Sequence, residues 1–349
     1  MARPEKKISV LVVDDSALMR KMIGEIIERE PSFALCGTAR NGREALEQVA
    51  ALQPDVVTLD IEMPEMDGLQ ALARIMAERP TAVVMLSAHA KEGAEATLLS
   101  LELGAVDFVT KPSGSISLDI DRVRDELVEK ITVAASVDLA RLKSGARRRP
   151  QPAKPKAAGP GGPFRLVAIG SSTGGTRALS DLLPALPADL PAAYLLVQHM
   201  PKGFTRSLAE RLNARCQIAV REAEAGDAVK PGLALLAPAD YHLELDPSGR
   251  LVTLNQDPPR FGVRPSVDVM MQSAAARAAG GLVGVILTGM GHDGAKGMLA
   301  IKQRGGATIA EDKSTCVVFG MPRSAIELGA ADQVLPLDRI PQAIIRACQ

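Results

Sequence analysis

The stretch Phe164–Gly175, FRLVAIGSSTGG, holds the first group able to do chemistry: Ser172, set between Gly170 and Gly174 in a Gly-x-Ser-x-Gly spacing. The apolar run Leu166–Ile169 precedes it, and Leu179, Leu182 and Leu183 follow at helical intervals. That pattern reads as a buried strand turning sharply into a helix, with Ser172 at the crest. Glycine on either side lets the backbone bend and leaves room for a substrate. The start of the helix offers unpaired N–H groups to a developing oxyanion. The spacing is that of a nucleophile elbow. Other readings compete. Gly170 and Gly175 stand at phosphate-loop distance, but Thr176-Arg177 follows where Lys-Ser or Lys-Thr is needed. The glycine spacing does not fit a dinucleotide fingerprint. A tight strand–helix turn without chemistry is the bland alternative, since glycine-rich turns are common in α/β folds.

A serine nucleophile needs a base, and the chain holds only four histidines. His89 lies in the N-terminal half, and His242 falls inside an expected hairpin as a structural or surface residue. His199 stands in QHMPKGF, directly after the apolar run Tyr194–Val197. His292 lies in LTGMGHDGA, after the run Val283–Thr288 and next to Asp293. Ser172, His199 and Asp293 therefore all follow expected parallel strands at their carboxyl ends, where they can meet. In such a set the histidine takes the hydroxyl proton, while the aspartate fixes its tautomer and steadies the imidazolium. We assign the base to His199. A residue adjoining Asp293 on the same turn is poorly placed to bridge aspartate and serine. His292 reads as a wall residue able to tune the pH profile. The chain order Ser…His…Asp differs from the Ser…Asp…His of elbow hydrolases, so the match to that motif is convergent.

A second set of chemical groups lies in the N-terminal half. Asp14 and Asp15 follow the run Ile8–Val13, Asp60 follows Val56–Leu59, Ser87 follows Ala82–Leu86, and Lys111 follows Val106–Val109. Three carboxylates converging at one sheet end repel one another unless a divalent cation binds, and hard oxygen ligands suit Mg²⁺. Asp60 is then a phosphoryl acceptor, with Mg²⁺ and Lys111 neutralising the transferred group.

The elements that must carry these residues are legible from the apolar pattern. With a fifth run at Phe33–Ala39, the N-terminal half alternates five strands with helices such as that marked by Leu18, Met22, Ile23 and Ile26. This predicts a doubly wound parallel sheet with its ligand site beyond the carboxyl ends of the strands. The C-terminal half predicts strands at Leu166–Ile169, Tyr194–Val197, Gln217–Arg221, Leu233–Leu236, Val283–Thr288 and Ala307–Ala310. A hairpin joins Tyr241–Asp246 to Arg250–Leu254 across Pro247-Ser248-Gly249. Helices fit Phe204–Asn213, Ser266–Ala279 with Ser266 as N-cap, Ala295–Arg304 and Arg323–Leu328. The whole is α/β, with two doubly wound domains in 349 residues. The boundaries drawn are 1–130, a linker at 131–163, and 164–349. Between Asp138 and Asp181 there is no acidic residue, and LKSGARRRPQPAKPKAAGPGGP reads as a solvated basic linker. Its basic run would also suit a membrane surface or an acidic partner. Some 20 flexible residues span about 25 Å, enough for the halves to dock or separate.

Composition excludes several classes. Lys+Arg and Asp+Glu are both 41, so no global field favours nucleic acid. Aromatics are 2% with no Trp, which argues against stacking platforms for bases. Cys36, Cys216, Cys316 and Cys348 are scattered, as expected of reduced thiols in a cytoplasmic protein. The first residues carry no signal-peptide pattern, and no apolar run is long enough to span a bilayer.

VVDDS, LDIEMPEMDG, the Ser87 position and Thr110-Lys111-Pro112 resemble the response-regulator receiver family. The resemblance implies phosphorylation of Asp60 by a histidine kinase and Mg²⁺ held by Asp15, Asp60 and the carbonyl of Glu62, with Asp14 beside them. It also implies a switch read by Ser87 and Phe108. In the C-terminal half IGSSTGG, QHMPKGFT, RPSVD, VGVILTGMG-x-DGA and CVVFGMPR resemble the chemotaxis protein-glutamate methylesterases of the CheB type. That implies Ser172, His199 and Asp293 as catalytic residues, with backbone donors near Thr173 and Met290 as oxyanion hole and no cofactor for hydrolysis. It implies γ-glutamyl methyl esters of chemoreceptors as substrates, with deamidation of receptor glutamines by the same acyl chemistry. It further implies that the unphosphorylated receiver covers the esterase site, and that phosphorylation draws Ser87 toward the phosphoryl group and Phe108 inward. One departure stands out: the family's Gly-Asn-Asp-Gly is Gly291-His292-Asp293-Gly294 here. A signalling scaffold without catalysis and a DNA-binding output are the rival readings. The complete Ser–His–Asp set weighs against the first, and the lack of a helix-turn-helix pattern against the second.

Overall fold

A computed structural model describes residues 7–87, 91–111, 116–139, 164–278 and 280–349. His89, Pro112 and positions 140–163 of the expected linker lie outside them. The chain divides into two compact units, Met1–Ser144 and Gly145–Gln349.

The first unit runs β1 (Ile8–Val13), α1 (Ala17–Arg29), β2 (Phe33–Ala39), α2 (Gly42–Leu52), β3 (Val56–Asp60), α3 (Gly68–Glu78), β4 (Ala82–Ser87), α4 (Lys91–Leu103), β5 (Asp107–Thr110) and α5 (Ile116–Ala135). Its five strands pair in parallel in the order β2-β1-β3-β4-β5. The central strands are buried on both faces, which is why they read as unbroken apolar runs rather than alternating ones. Side-chain caps start the first three helices: Ser16 accepts from Met19 N–H, Asn41 from Glu44 N–H and Asp67 from Gln70 N–H. Apolar patterning ends three strands one residue early. Asp60 and Ser87 belong to their strands because the ladder carries them, Asp60 beside Leu86 and Ser87 beside Thr110. Helix α5 continues past residue 130, where the linker was expected to begin, and buries Ile131 and Ala134.

The second unit runs β6 (Arg165–Ser171), α6 (Gly175–Leu182), β7 (Ala192–Gln198), α7 (Phe204–Asn213), β8 (Ala219–Glu222), β9 (Leu233–Leu236), the ribbon β10 (His242–Leu245) and β11 (Val252–Asn255), α8 (Val267–Arg277), β12 (Leu282–Ile286), α9 (Ala295–Gln303), β13 (Ala307–Glu311), α10 (Met321–Glu327), β14 (Gln333–Leu335) and α11 (Ile340–Cys348). Seven parallel strands form one sheet, ordered β14-β13-β12-β6-β7-β9-β8. The chain leaves β6 toward β7 and later returns to β12 on the other side. The order therefore reverses at β6, where open α/β sheets present a crevice at the carboxyl ends. The edge strand β14 and helix α11 were not foreseen. β14 is three residues long and half exposed, so it shows no apolar run.

Candidate active site

Ladder register brings the first two candidate residues together. β6 pairs with β7 with Gly170 opposite Val197 and Ser171 opposite Gln198. The His199 N–H then donates to the Ser171 carbonyl at 3.1 Å. Ser172 and His199 are thus the next residues on two strands that run about 5 Å apart. At the crest the Ser172 N–H donates to the Thr288 carbonyl at 3.0 Å, and the Ser172 carbonyl accepts the Gly175 N–H at 2.7 Å. The flanking glycines are required, but for different reasons than bending alone. A Cβ on Gly170 would lie 2.2 Å from Val267 Cγ1, so the strand can seat on α8 only as glycine. Gly174 has φ +80°, the left-handed region that glycine adopts without strain.

Asp293 completes the set. Its Oδ2 lies 2.8 Å from His199 Nε2 and also accepts the Val267 N–H at 2.7 Å. Its Oδ1 accepts the Ser266 hydroxyl at 2.8 Å and the Asp268 N–H at 3.0 Å. The carboxylate therefore sits on the first turn of α8, where free N–H groups and the helix dipole favour an anion. Burial alone would raise its pKa. The bond to His199 and that ring's charge, with the Asp268 N–H and Ser266 hydroxyl, more than offset it and hold the group below the usual carboxylate range. An ionised, acceptor-only Oδ2 requires the proton on His199 Nε2, which leaves Nδ1 as the nitrogen with a lone pair. The ring is turned opposite to the arrangement in which aspartate takes Nδ1.

Behind this pair stand residues that patterning did not reveal. Buried His242, on β10, accepts the Ser266 N–H on Nδ1 at 3.2 Å and faces the Pro258 carbonyl with Nε2 at 3.3 Å. It is structural, and it braces the cap that binds Asp293. Ser266 was legible as an N-cap; the signal available was that such a helix start receives anions. His292 is exposed, with its ring edge-on to Phe261 at 4.2 Å between centroids, and makes no part of the Asp293 cradle.

On the opposite side of Ser172 runs the segment Thr288–Gly291. A Cβ on Gly289 would come within 2.8 Å of Ser172 Cβ, so this backbone lies against the serine. The Thr288 hydroxyl faces the carbonyls of Thr173 (3.0 Å) and Val318 (3.2 Å) and accepts the Val318 N–H (2.9 Å). The Thr288 N–H donates to buried Glu311 at 2.8 Å. Because the Ser172 N–H is spent on Thr288, an oxyanion at this site must draw on neighbouring N–H groups. Thr173 and Met290 are the residues next in line on the two segments.

In the first unit, the Asp14, Asp15 and Asp60 carboxylates come within 4.8 Å of one another. Lys111 Nζ lies 2.8 Å from Asp14 and 2.7 Å from Asp60. Burial pushes Asp60 up to about 6 despite Lys111, with Asp14 and Asp15 adding to the rise. Three carboxylates against one ammonium leave a negative, all-oxygen donor set, which fits a hard divalent cation. Glu62 is exposed beside it. The Ser87 hydroxyl is fully buried, 2.6 Å from the Thr97 hydroxyl of α4. Phe108 is buried, with Lys130 Nζ 5.1 Å from its ring centre and donating to its carbonyl.

Residues 167–344 match the family model described as CheB methylesterase, just over half of the chain. The chain belongs to that family. Residues 10–120 match the response regulator receiver domain. A protein-glutamate methylesterase/protein-glutamine glutaminase of Symbiobacterium thermophilum is 55% identical across 99% of this chain and 98% of its own. One of the same name from Pyrococcus abyssi is 50% identical across 99% and 94%. The crystal structure of the Thermotoga maritima CheB methylesterase catalytic domain is 48% identical, covers 53% of this chain and 99% of that one, and superposes with a TM-score of 0.51. The receiver match falls in the first unit and the methylesterase match in the second.

Proposed function

We propose that this chain is a phosphorylation-controlled protein-glutamate methylesterase and glutaminase that hydrolyses γ-glutamyl methyl esters on chemoreceptors to glutamate and methanol. The observation that carries this is the His199–Asp293 pair at 2.8 Å, held at the strand end beside Ser172. Ser172 Oγ attacks the ester carbonyl while His199 Nδ1 takes its proton. N–H groups at Thr173 and Met290 receive the oxyanion. The imidazolium, steadied by Asp293, returns the proton to departing methanol. Water, deprotonated by the same nitrogen, then releases the glutamyl carboxylate and restores Ser172. Glutamine follows the same course with ammonia leaving. No cofactor takes part in these steps. The working site is cytoplasmic, where the receptor helices lie; among the described residues no helix is long and apolar enough to cross a membrane.

Control is assigned to the first unit. Asp60 accepts a phosphoryl group from a chemotaxis histidine kinase, with Lys111 beside it to neutralise charge. Mg²⁺, when bound by Asp14, Asp15, Asp60 and the Glu62 carbonyl, supplies the remaining charge neutralisation. Ser87 must leave Thr97 to reach the phosphoryl group, so α4 feels the event. Methanol release from methyl-labelled receptor membranes, with and without acetyl phosphate, tests the assignment. A Ser172→Ala chain with near-normal turnover would refute it.

A further inference from the structure

Gln198 ends β7, and its side chain is buried at 3% exposure. Its carboxamide lies between the turn that carries Ser172 and the turn that carries His199. Nε2 donates to the Ser172 carbonyl at 2.9 Å and to the His199 carbonyl at 3.0 Å. Oε1 accepts the Ser171 hydroxyl at 2.7 Å. Only the nitrogen can donate to two carbonyls, so this orientation is the one the surroundings allow. Gly175 completes the seat, because a Cβ there would lie 2.2 Å from Oε1. The backbone bond from His199 to Ser171 sets the strand ends side by side, and the amide ties together the peptide groups that follow.

We propose that Gln198 is a positioning residue for ester hydrolysis, clamping the Ser172 and His199 turns so that nucleophile and base keep a fixed separation. The inference rests on the esterase reading above. The test uses the full-length chain with Gln198→Met, which keeps the volume and removes both donors, and Gln198→Glu, which turns acceptors toward two carbonyls. Labelling of Ser172 by a fluorophosphonate reads nucleophile reactivity directly; receptor-membrane hydrolysis gives kcat and KM. Gln198→Met is expected to lower kcat and the labelling rate about 100-fold with KM within about twofold, the scale of a 1 Å misplacement. The ratio of the Gln198→Glu rate to the Gln198→Met rate should rise as pH falls, because the protonated acid regains a donor. A merely structural role moves neither KM-independent labelling nor that ratio. Ser171→Ala, which frees Oε1 but keeps both donors, should give an intermediate loss. An unlabelled wild-type chain refutes the esterase reading itself. A wild-type chain that labels, with Gln198→Met labelling equally or losing only KM, overturns the clamp. Should Gln198→Met fail to melt cooperatively, unchanged labelling of Ser171→Ala overturns it instead.

Discussion

Asp293 and Asp268 cap each other's helices. Asp293, just before α9, accepts the Val267 and Asp268 N–H groups at the start of α8, while Asp268, in the first turn of α8, accepts the Gly297 N–H of α9 at 2.7 Å. The reciprocal capping fixes the carboxylate that faces His199 by means of two helix ends rather than a loop. It also separates the two aspartates by role, since only Asp293 touches the imidazole.

That separation is measurable. Four donors point at the two Asp293 oxygens, and an amide has only one oxygen to offer. Asp293→Asn should therefore lower kcat on the order of 10⁴-fold. Asp268→Ala should cost about 1 kcal/mol of stability through the lost cap of α9 and leave kcat within roughly tenfold. Methanol release and denaturant melts on both variants check this. Equal kinetic damage from both would remove Asp293 from its special place.

The two candidate bases separate as cleanly. His199→Asn should be inactive, since it removes the imidazole bound to Asp293. His292→Asn, which breaks a ring contact with Phe261, should keep activity within about tenfold. The reverse pattern would transfer the base to His292.

Glu311 predicts a pH dependence of stability. Burial pushes its carboxyl up to about 7, against the pull of the Thr288 N–H. A folded-state pKa above the unfolded one means that the native chain holds the proton longer. The associated stability is full below the ordinary glutamate value of 4.5 and is lost as pH rises through about 7. Across that window the loss amounts to roughly 3 kcal/mol. Melts from pH 4.5 to 8 should show this slope, and Glu311→Gln, which cannot ionise, should flatten it. An identical slope in both chains would place the titration elsewhere.

Control by the receiver makes four linked predictions. The fragment 164–349 should outpace resting full-length chain if the receiver covers the esterase site. Acetyl phosphate with Mg²⁺ should activate the full-length chain, and Asp60→Asn should stay at the resting rate. Thr97→Ala, which removes the hydroxyl that Ser87 contacts on α4, should activate at lower acetyl phosphate. A fragment no faster than the resting chain would leave phosphorylation to act by recruitment to receptors.

Much of this was legible without coordinates, because parallel strands covered on both faces must be apolar runs and their functional residues must follow them. Ser172, His199, Asp14, Asp60 and Lys111 were found by reading where apolar runs stop. Their neighbourhood followed too, since strand ends of one parallel sheet lie on one edge. Burial and long-range geometry decided the rest. The sequence marks Ser266 as an N-cap and His242 as a hairpin residue, and carries Asp268 and Gln198 as ordinary polar letters. Their roles exist only because α8 is laid across the end of β6, seating Val267 on Gly170, and because β10 passes beneath Ser266. Which histidine nitrogen binds the aspartate was likewise beyond the sequence. Spacing can bring His199 and Asp293 to the same sheet edge, but the side of the ring that meets the carboxylate depends on where α8 places Asp293. Phe108 shows the same limit in the first unit. Its place on β5 could be read from the apolar run, whereas its contact with Lys130 is a property of how α5 packs on β5.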